Sequence, residues 1–179
     1  MRPAAERDRP AIAALIRARA AWMRTRALRG WEGWRDSAED LAAQAGDDAY
    51  PVWVATVAGT ALVAGVTSLY EEASPLLWPD DDEREQPSIF LATTVTDPTY
   101  AEHRPGTLMA WWALDHAARR GRMWVRRGTG PYPGLVAYYR DVQGWRVARA
   151  VEHQGVTAYA LERRAQLQPQ LPSLGMALS

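Results

Sequence analysis

The feature that most constrains the fold of this chain is a change in hydrophobic period partway along its 179 residues. Ile12, Leu15, Ile16, Arg19, Trp22 and Met23 mix spacings of three and four, the signature of one helical face. Asp8-Arg9-Pro10 ahead of them reads as a helix start, with a carboxylate at the cap position and proline in the first turn. Gly30 to Trp34 breaks the pattern, and a second helix is expected from about Ser37 to Ala45, stopped by Gly46. From Val52 the period shortens. Val52–Val57 and Ala61–Leu69 read as strands joined by a turn at Ala58-Gly59-Thr60, and Ser88–Val95 as a third, buried strand. Ala73–Gln86, with three prolines nearby and the run Asp80-Asp81-Asp82-Glu83, is expected as loop, as is Thr96–Pro105. A strongly apolar helix follows from Gly106 to Arg120, then a short strand at Met123–Val125. Pro133-Gly134 opens another helix that Gly144 closes, and two last strands lie near Trp145–Val151 and Val156–Leu161. Helices and strands interleaved in this way predict an α/β or α+β domain with helices on the faces of one sheet.

Composition narrows the chemistry. Lys+Arg and Asp+Glu stand at 21 each, a formal net charge of +0, which lacks the basic footprint a nucleic-acid backbone demands. All the basic side chains are arginine; lysine is absent, so no Schiff-base or lysine nucleophile is available. The absence of cysteine removes disulfides, thiolate nucleophiles and cysteine-ligated metals. The three histidines are too scattered to suggest a metal site. No stretch reaches the roughly 18 apolar residues of a membrane span, and the first residues hold no apolar signal segment, so the expectation is a cytosolic protein. Residues 1–163 are expected to form a single domain, with 164–179 a flexible tail.

Two stretches carry recognisable chemistry. The first is Ile89-Phe90-Leu91-Ala92-Thr93-Thr94-Val95, then Asp97-Pro98-Thr99-Tyr100, then His103-Arg104-Pro105-Gly106-Thr107-Leu108, a strand leading into a helix start. Backbone N–H groups at a helix N-terminus attract phosphate, and glycine allows close approach. The second is Pro133-Gly134-Leu135-Val136-Ala137-Tyr138-Tyr139-Arg140-Asp141-Val142-Gln143-Gly144-Trp145. Together with the helix from Thr107 to Gly121, these segments resemble the GNAT (GCN5-related N-acetyltransferase) superfamily over about Arg2 to Arg163. The copy of the phosphate loop is altered. His103 stands where the family has Gln or Arg, Leu108 where it has a small residue, and Pro105 removes one N–H donor. The step between Tyr139 and Gly144 is one residue longer than the family's.

The resemblance implies a mixed, mostly antiparallel central sheet of six to seven strands flanked by about four helices. It implies acetyl-CoA, or another acyl-CoA, as co-substrate, held by Thr94, Val95, Thr96, His103, Arg104, Gly106, Thr107 and Leu108. It implies direct attack of an amine on the thioester, with Tyr139 protonating the departing sulfur. The base is left open among Glu71, Glu72, Asp97 and a relayed water. Trp31, Trp34 and Trp78, in loops flanking the acceptor side by the resemblance, are candidates to line the acceptor pocket, and the acceptor is expected to be a small amine-bearing molecule. No metal, nucleic-acid or membrane partner is expected, and a homodimer is compatible with the fold. The alternative reading is a GNAT-like module without catalysis that binds acyl-CoA or another ligand, or a partner-binding subunit.

Overall fold

The computed structural model describes residues 1–171. Seven strands form one sheet in the order β1-β2-β3-β4-β5-β7-β6: β1 Arg2–Pro3, β2 Val52–Thr56, β3 Val63–Tyr70, β4 Ser88–Thr96, β5 Trp124–Thr129, β6 Arg146–His153 and β7 Val156–Arg164. The helices are α1 Arg9–Thr25, α2 Trp31–Asp36, α3 Ala38–Ala43, α4 Asp81–Glu85, α5 Pro105–Arg119 and α6 Pro133–Ala137, with a single π turn, Tyr138–Val142, continuing α6. Pairing is antiparallel for β1–β2, β2–β3, β5–β7 and β6–β7, and parallel for β4–β5. The chain divides into two compact units. One comprises Met1–Ser68, Thr93–Ala110 and the described end of the chain from Gln170; the other comprises Leu69–Ala92 and Trp111–Pro169.

In the first unit, Ile12, Leu15 and Ile16 of α1 and Ala38 and Ala42 of α3 bury themselves with Val52, Val54, Val63, Val66 and Val95 of the strands. This is the apolar face the helical spacing predicts. Asp8 departs from its expected role. Its carboxylate makes no bond to the α1 N-terminus; Arg2 grips it through two 2.7 Å hydrogen bonds, and the Ala5 N–H donates to it at 2.8 Å. Gly46, in the left-handed region at φ 80, closes α3 where a Cβ would stand 2.6 Å from the Glu6 backbone nitrogen.

In the second unit the acidic run forms α4 rather than loop. Asp80 caps it by accepting from the Asp82 and Glu83 N–H groups, and Arg84 donates to the carbonyls of Trp78 and Pro79. Arg126, buried on β5, donates to the Glu83 carbonyl at 2.6 Å and to Gln86 at 3.1 Å, and Arg149 pairs with the Glu83 carboxylate. The run is therefore spent on structure. Beyond β7 the chain stays attached: Ala165 N–H donates to Met123 O, Gln166 N–H to Leu114 O and Gln168 N–H to Asp115 Oδ1. The expected tail from 164 is thus held through this stretch, and the rest of it, from 172, lies outside the described residues. Among the described residues, no helix is long and apolar enough to cross a membrane.

Candidate functional site

In the first unit, the segment expected to bind phosphate is built from the end of β4 onward. β4 pairs with β5 from Ser88↔Trp124 to Leu91↔Arg127, and the pairing ends there, although β4 runs to Thr96. Just past that point Thr93 takes φ 48, a left-handed residue inside a strand. Thr94 shares a 2.8 Å hydrogen bond with Thr67 on β3, and Val95 is buried. Arg19 of α1 donates to the Thr96 carbonyl at 2.9 and 2.6 Å and to its hydroxyl at 2.6 Å, fixing the strand's end. Asp97 is consumed as a cap, accepting from Thr99 N–H at 2.8 Å, so its carboxylate serves the 3-10 turn Pro98–His103.

Arg104 then adopts φ 49 and its carbonyl accepts from the N–H groups of Thr107 (2.9 Å) and Leu108 (3.2 Å). Pro105 has no N–H, so Gly106 is the residue of this first turn whose N–H is not drawn back to Arg104. His103 and Arg104 are exposed, Gly106 and Leu108 half-buried, and Thr107 buried. A Cβ on Gly106 would meet only the Thr96 methyl, at 3.7 Å.

Trp31 and Trp34 part company here. Trp34 packs against the first unit's apolar cluster. Trp31 lies between the guanidinium groups of Arg24 (5.6 Å) and Arg35 (5.2 Å), and Trp22 is flanked in the same way by Arg19 and Arg26. These indole faces already lie against the chain's own cations.

In the second unit, Trp78 is a correction. It is 0% exposed, packs edge-on against Phe90 at 6.0 Å and lies 5.2 Å from the Arg126 guanidinium. It is core, not a pocket wall, because the Arg84 and Arg126 bonds to its neighbourhood pull the loop inward. Glu71 and Glu72 are both exposed. Glu71 is tied to Arg122 at 2.7 Å and Arg120 at 3.7 Å, whereas Glu72 has no ion pair among the described residues. A carboxylate already engaged by two guanidinium groups is the poorer base.

Tyr139 lies in the π turn and is half-buried. Its phenol oxygen accepts a 2.8 Å hydrogen bond from Arg127, whose guanidinium sits 4.0 Å over the Tyr139 ring and 5.5 Å from that of Trp145. The Trp145 N–H of the backbone donates to Tyr139 O at 3.0 Å, and its indole N–H to Gln143 Oε1 at 3.0 Å. The π turn absorbs the extra residue noted in the sequence. Sequence reasoning missed Arg127, Arg19 and the left-handed Thr93. Only the first left a signal, an Arg-Arg pair inside an otherwise buried strand.

No family model and no curated protein matches the sequence. Solved structures do. The chain is similar to a GNAT-family acetyltransferase from Listeria monocytogenes, at 16% identity, covering 91% of this chain and 92% of that one, TM-score 0.68. It is similar to an aminoglycoside 6'-acetyltransferase type Ii, at 11% identity with 90% and 92% covered, TM-score 0.62. It is also similar to a ribosomal-protein-alanine N-acetyltransferase from Brucella melitensis, at 17% identity with 91% and 98% covered, TM-score 0.58. The fold is the one these acetyltransferases share.

Proposed function

We propose that this chain, which has the GNAT fold, is an acyl-CoA-dependent N-acyltransferase, with acetyl-CoA as donor and a small amine as acceptor. The observation that carries the reading is Gly106. It opens α5 with no positive φ and with 3.7 Å to its nearest obstacle, so the fold itself has no need of glycine there. A glycine that costs backbone entropy without serving the fold is explained by a ligand that approaches the backbone closely. The pyrophosphate of CoA fits that approach. Its partners would be the Gly106 N–H, the Thr107 hydroxyl and the exposed His103 and Arg104, which compensate for the donor lost at Pro105.

The amine attacks the thioester carbon, and the backbone N–H groups around Thr94 and Val95 hold the developing oxyanion. Glu72 or a water takes the proton the amine must lose. Tyr139 gives a proton to the departing sulfur. The acceptor, the acyl length and a dimer remain parts of the proposal; β6, an edge strand of the sheet, is the surface a second copy would pair with.

The test is calorimetric titration with acetyl-CoA and free CoA. Binding in the micromolar range, lost in Gly106→Trp and weakened about tenfold in Gly106→Ala at an unchanged or raised melting midpoint, supports the reading. Absence of binding by folded protein overturns it. The second reading, a binding module without catalysis, is favoured by one observation: two first-turn N–H groups of α5 are spent on Arg104 O. It would show as CoA binding without thiol release on any amine in an acceptor panel.

A further inference from the structure

We propose that Arg127 is a positioning residue for acyl transfer: it holds the Tyr139 phenol oxygen as an acceptor and balances the charge left when Tyr139 gives its proton away. The proposal rests on Tyr139 being the acid of the reading above. Arg127 is anomalous. It is 5% exposed, and among the described residues no carboxylate lies within ion-pair distance of it. Its neighbour Arg126, 1% exposed, shows how this chain ordinarily treats a buried guanidinium: Glu162 at 3.5 Å, a backbone carbonyl and a glutamine surround it. Arg127 has two aromatic faces and one phenol oxygen instead; its Nε, like that of Arg126, is buried without a hydrogen-bond partner.

A buried cation without a counter-charge is costly. Ring faces recover part of that cost, and a full negative charge would recover more. Among the described residues, Tyr139 is the one group bonded to Arg127 that can supply it. The hydrogen-bond direction supports this. A guanidinium has donors and no acceptor, so the phenol oxygen must accept from Arg127, and the phenolic hydrogen must point elsewhere. The backbone bond from Trp145 to Tyr139 and the indole bond to Gln143 lock both rings around the cation. Arg127 is also the last β5 residue paired with β4, opposite Leu91.

In the transfer step the amine lone pair forms the C–N bond at the thioester carbon. As the adduct collapses, the C–S electron pair goes to sulfur, and sulfur takes the proton of Tyr139 Oη to become the CoA thiol. The phenolate faces the Arg127 guanidinium until solvent returns a proton. The proton released by the amine leaves through Glu72 or water.

The test is a double-mutant cycle on the full chain, with acetyl-CoA and an amine taken from the acceptor panel, following thiol release. Arg127→Met and Tyr139→Phe should each lower kcat about ten- to hundredfold. The KM for acetyl-CoA should stay within about threefold. The double variant should be no slower than Tyr139→Phe, because Arg127 acts through the phenol. Removing an unpaired buried cation should leave the Arg127→Met melting midpoint equal to or above that of the wild type. If Arg127→Met does not fold, Arg127→Gln, uncharged and closer in shape, reads the same coupling in the same cycle. Losses that multiply in the double variant, or an Arg127 variant with the wild-type kcat, overturn the proposal alone. A wild-type protein that binds acetyl-CoA and transfers to no amine overturns the transferase reading and this proposal together.

Discussion

Asp8 and Asp115 place a buried carboxylate in each compact unit, and both are held by partners that favour the charged form. For Asp8, the Arg2 hydrogen bonds lower its pKa; burial opposes them, and the Ala5 N–H adds to the lowering. For Asp115, burial pushes the carboxyl up, but the Arg119 hydrogen bond and the Gln168 N–H outweigh it, and the result lies below the ordinary value. A carboxylate with a folded pKa below its unfolded one, about 3.9 for aspartate, adds stability above the unfolded value. That contribution is lost as pH falls through the folded one. Asp8→Asn should therefore cost about 2 kcal/mol near pH 7. It should also flatten the fall of the urea midpoint below about pH 4. Asp115→Ala removes the acceptor of the Gln168 N–H, so hydrogen exchange at Gln168 should rise well above the wild-type rate while the strands of its unit stay protected.

Elements whose stability is internal are legible in the sequence; those stabilised from elsewhere are not. α1 and α5 show an apolar face at helical spacing, and β2 to β4 show strand-forming runs, so the order of the main elements can be read directly. α4 cannot, because Asp80–Glu85 has no apolar face and owes its helix to the Asp80 cap and to Arg126 and Arg149 on distant strands. β1, two residues long, is defined only by its partner β2. The candidate site divides in the same way. Gly106 and Tyr139 are visible as motif positions, whereas the Arg127–Tyr139 bond joins positions twelve apart through pairing and a π turn. Trp78 departs from expectation because sequence places a loop but not the direction its side chain takes, and Trp31 and Trp34 lie in the short helix α2 rather than in a loop. Gly46 is legible as a stop signal, and its structural demand is testable. With φ 80 and the Glu6 nitrogen 2.6 Å from where a Cβ would stand, Gly46→Ala should cost about 2 kcal/mol or more, read as a lowered denaturant midpoint at constant slope.

A molecule with 21 basic and 21 acidic residues exerts no net long-range pull on a polyanion such as CoA, so recognition must come from local donors. On the proposed reading those are the Gly106 N–H, Thr107, His103 and Arg104, with the end of β4 fixed by Arg19. Two consequences are measurable together. Ligand at about 100 times its Kd stabilises the folded state by roughly 2.7 kcal/mol. For a chain of this size that raises the melting midpoint by about 5–10 °C. Because His103 and Arg104 are exposed, their contacts to phosphate are open to screening. Raising the salt from about 50 to 500 mM should therefore weaken acetyl-CoA binding several-fold without abolishing it. In a His103→Ala/Arg104→Ala variant the affinity should already be about tenfold lower, and most of its salt dependence should be gone. A variant that binds as the wild type does would move the phosphate off this turn, and the explanation of Gly106 would go with it.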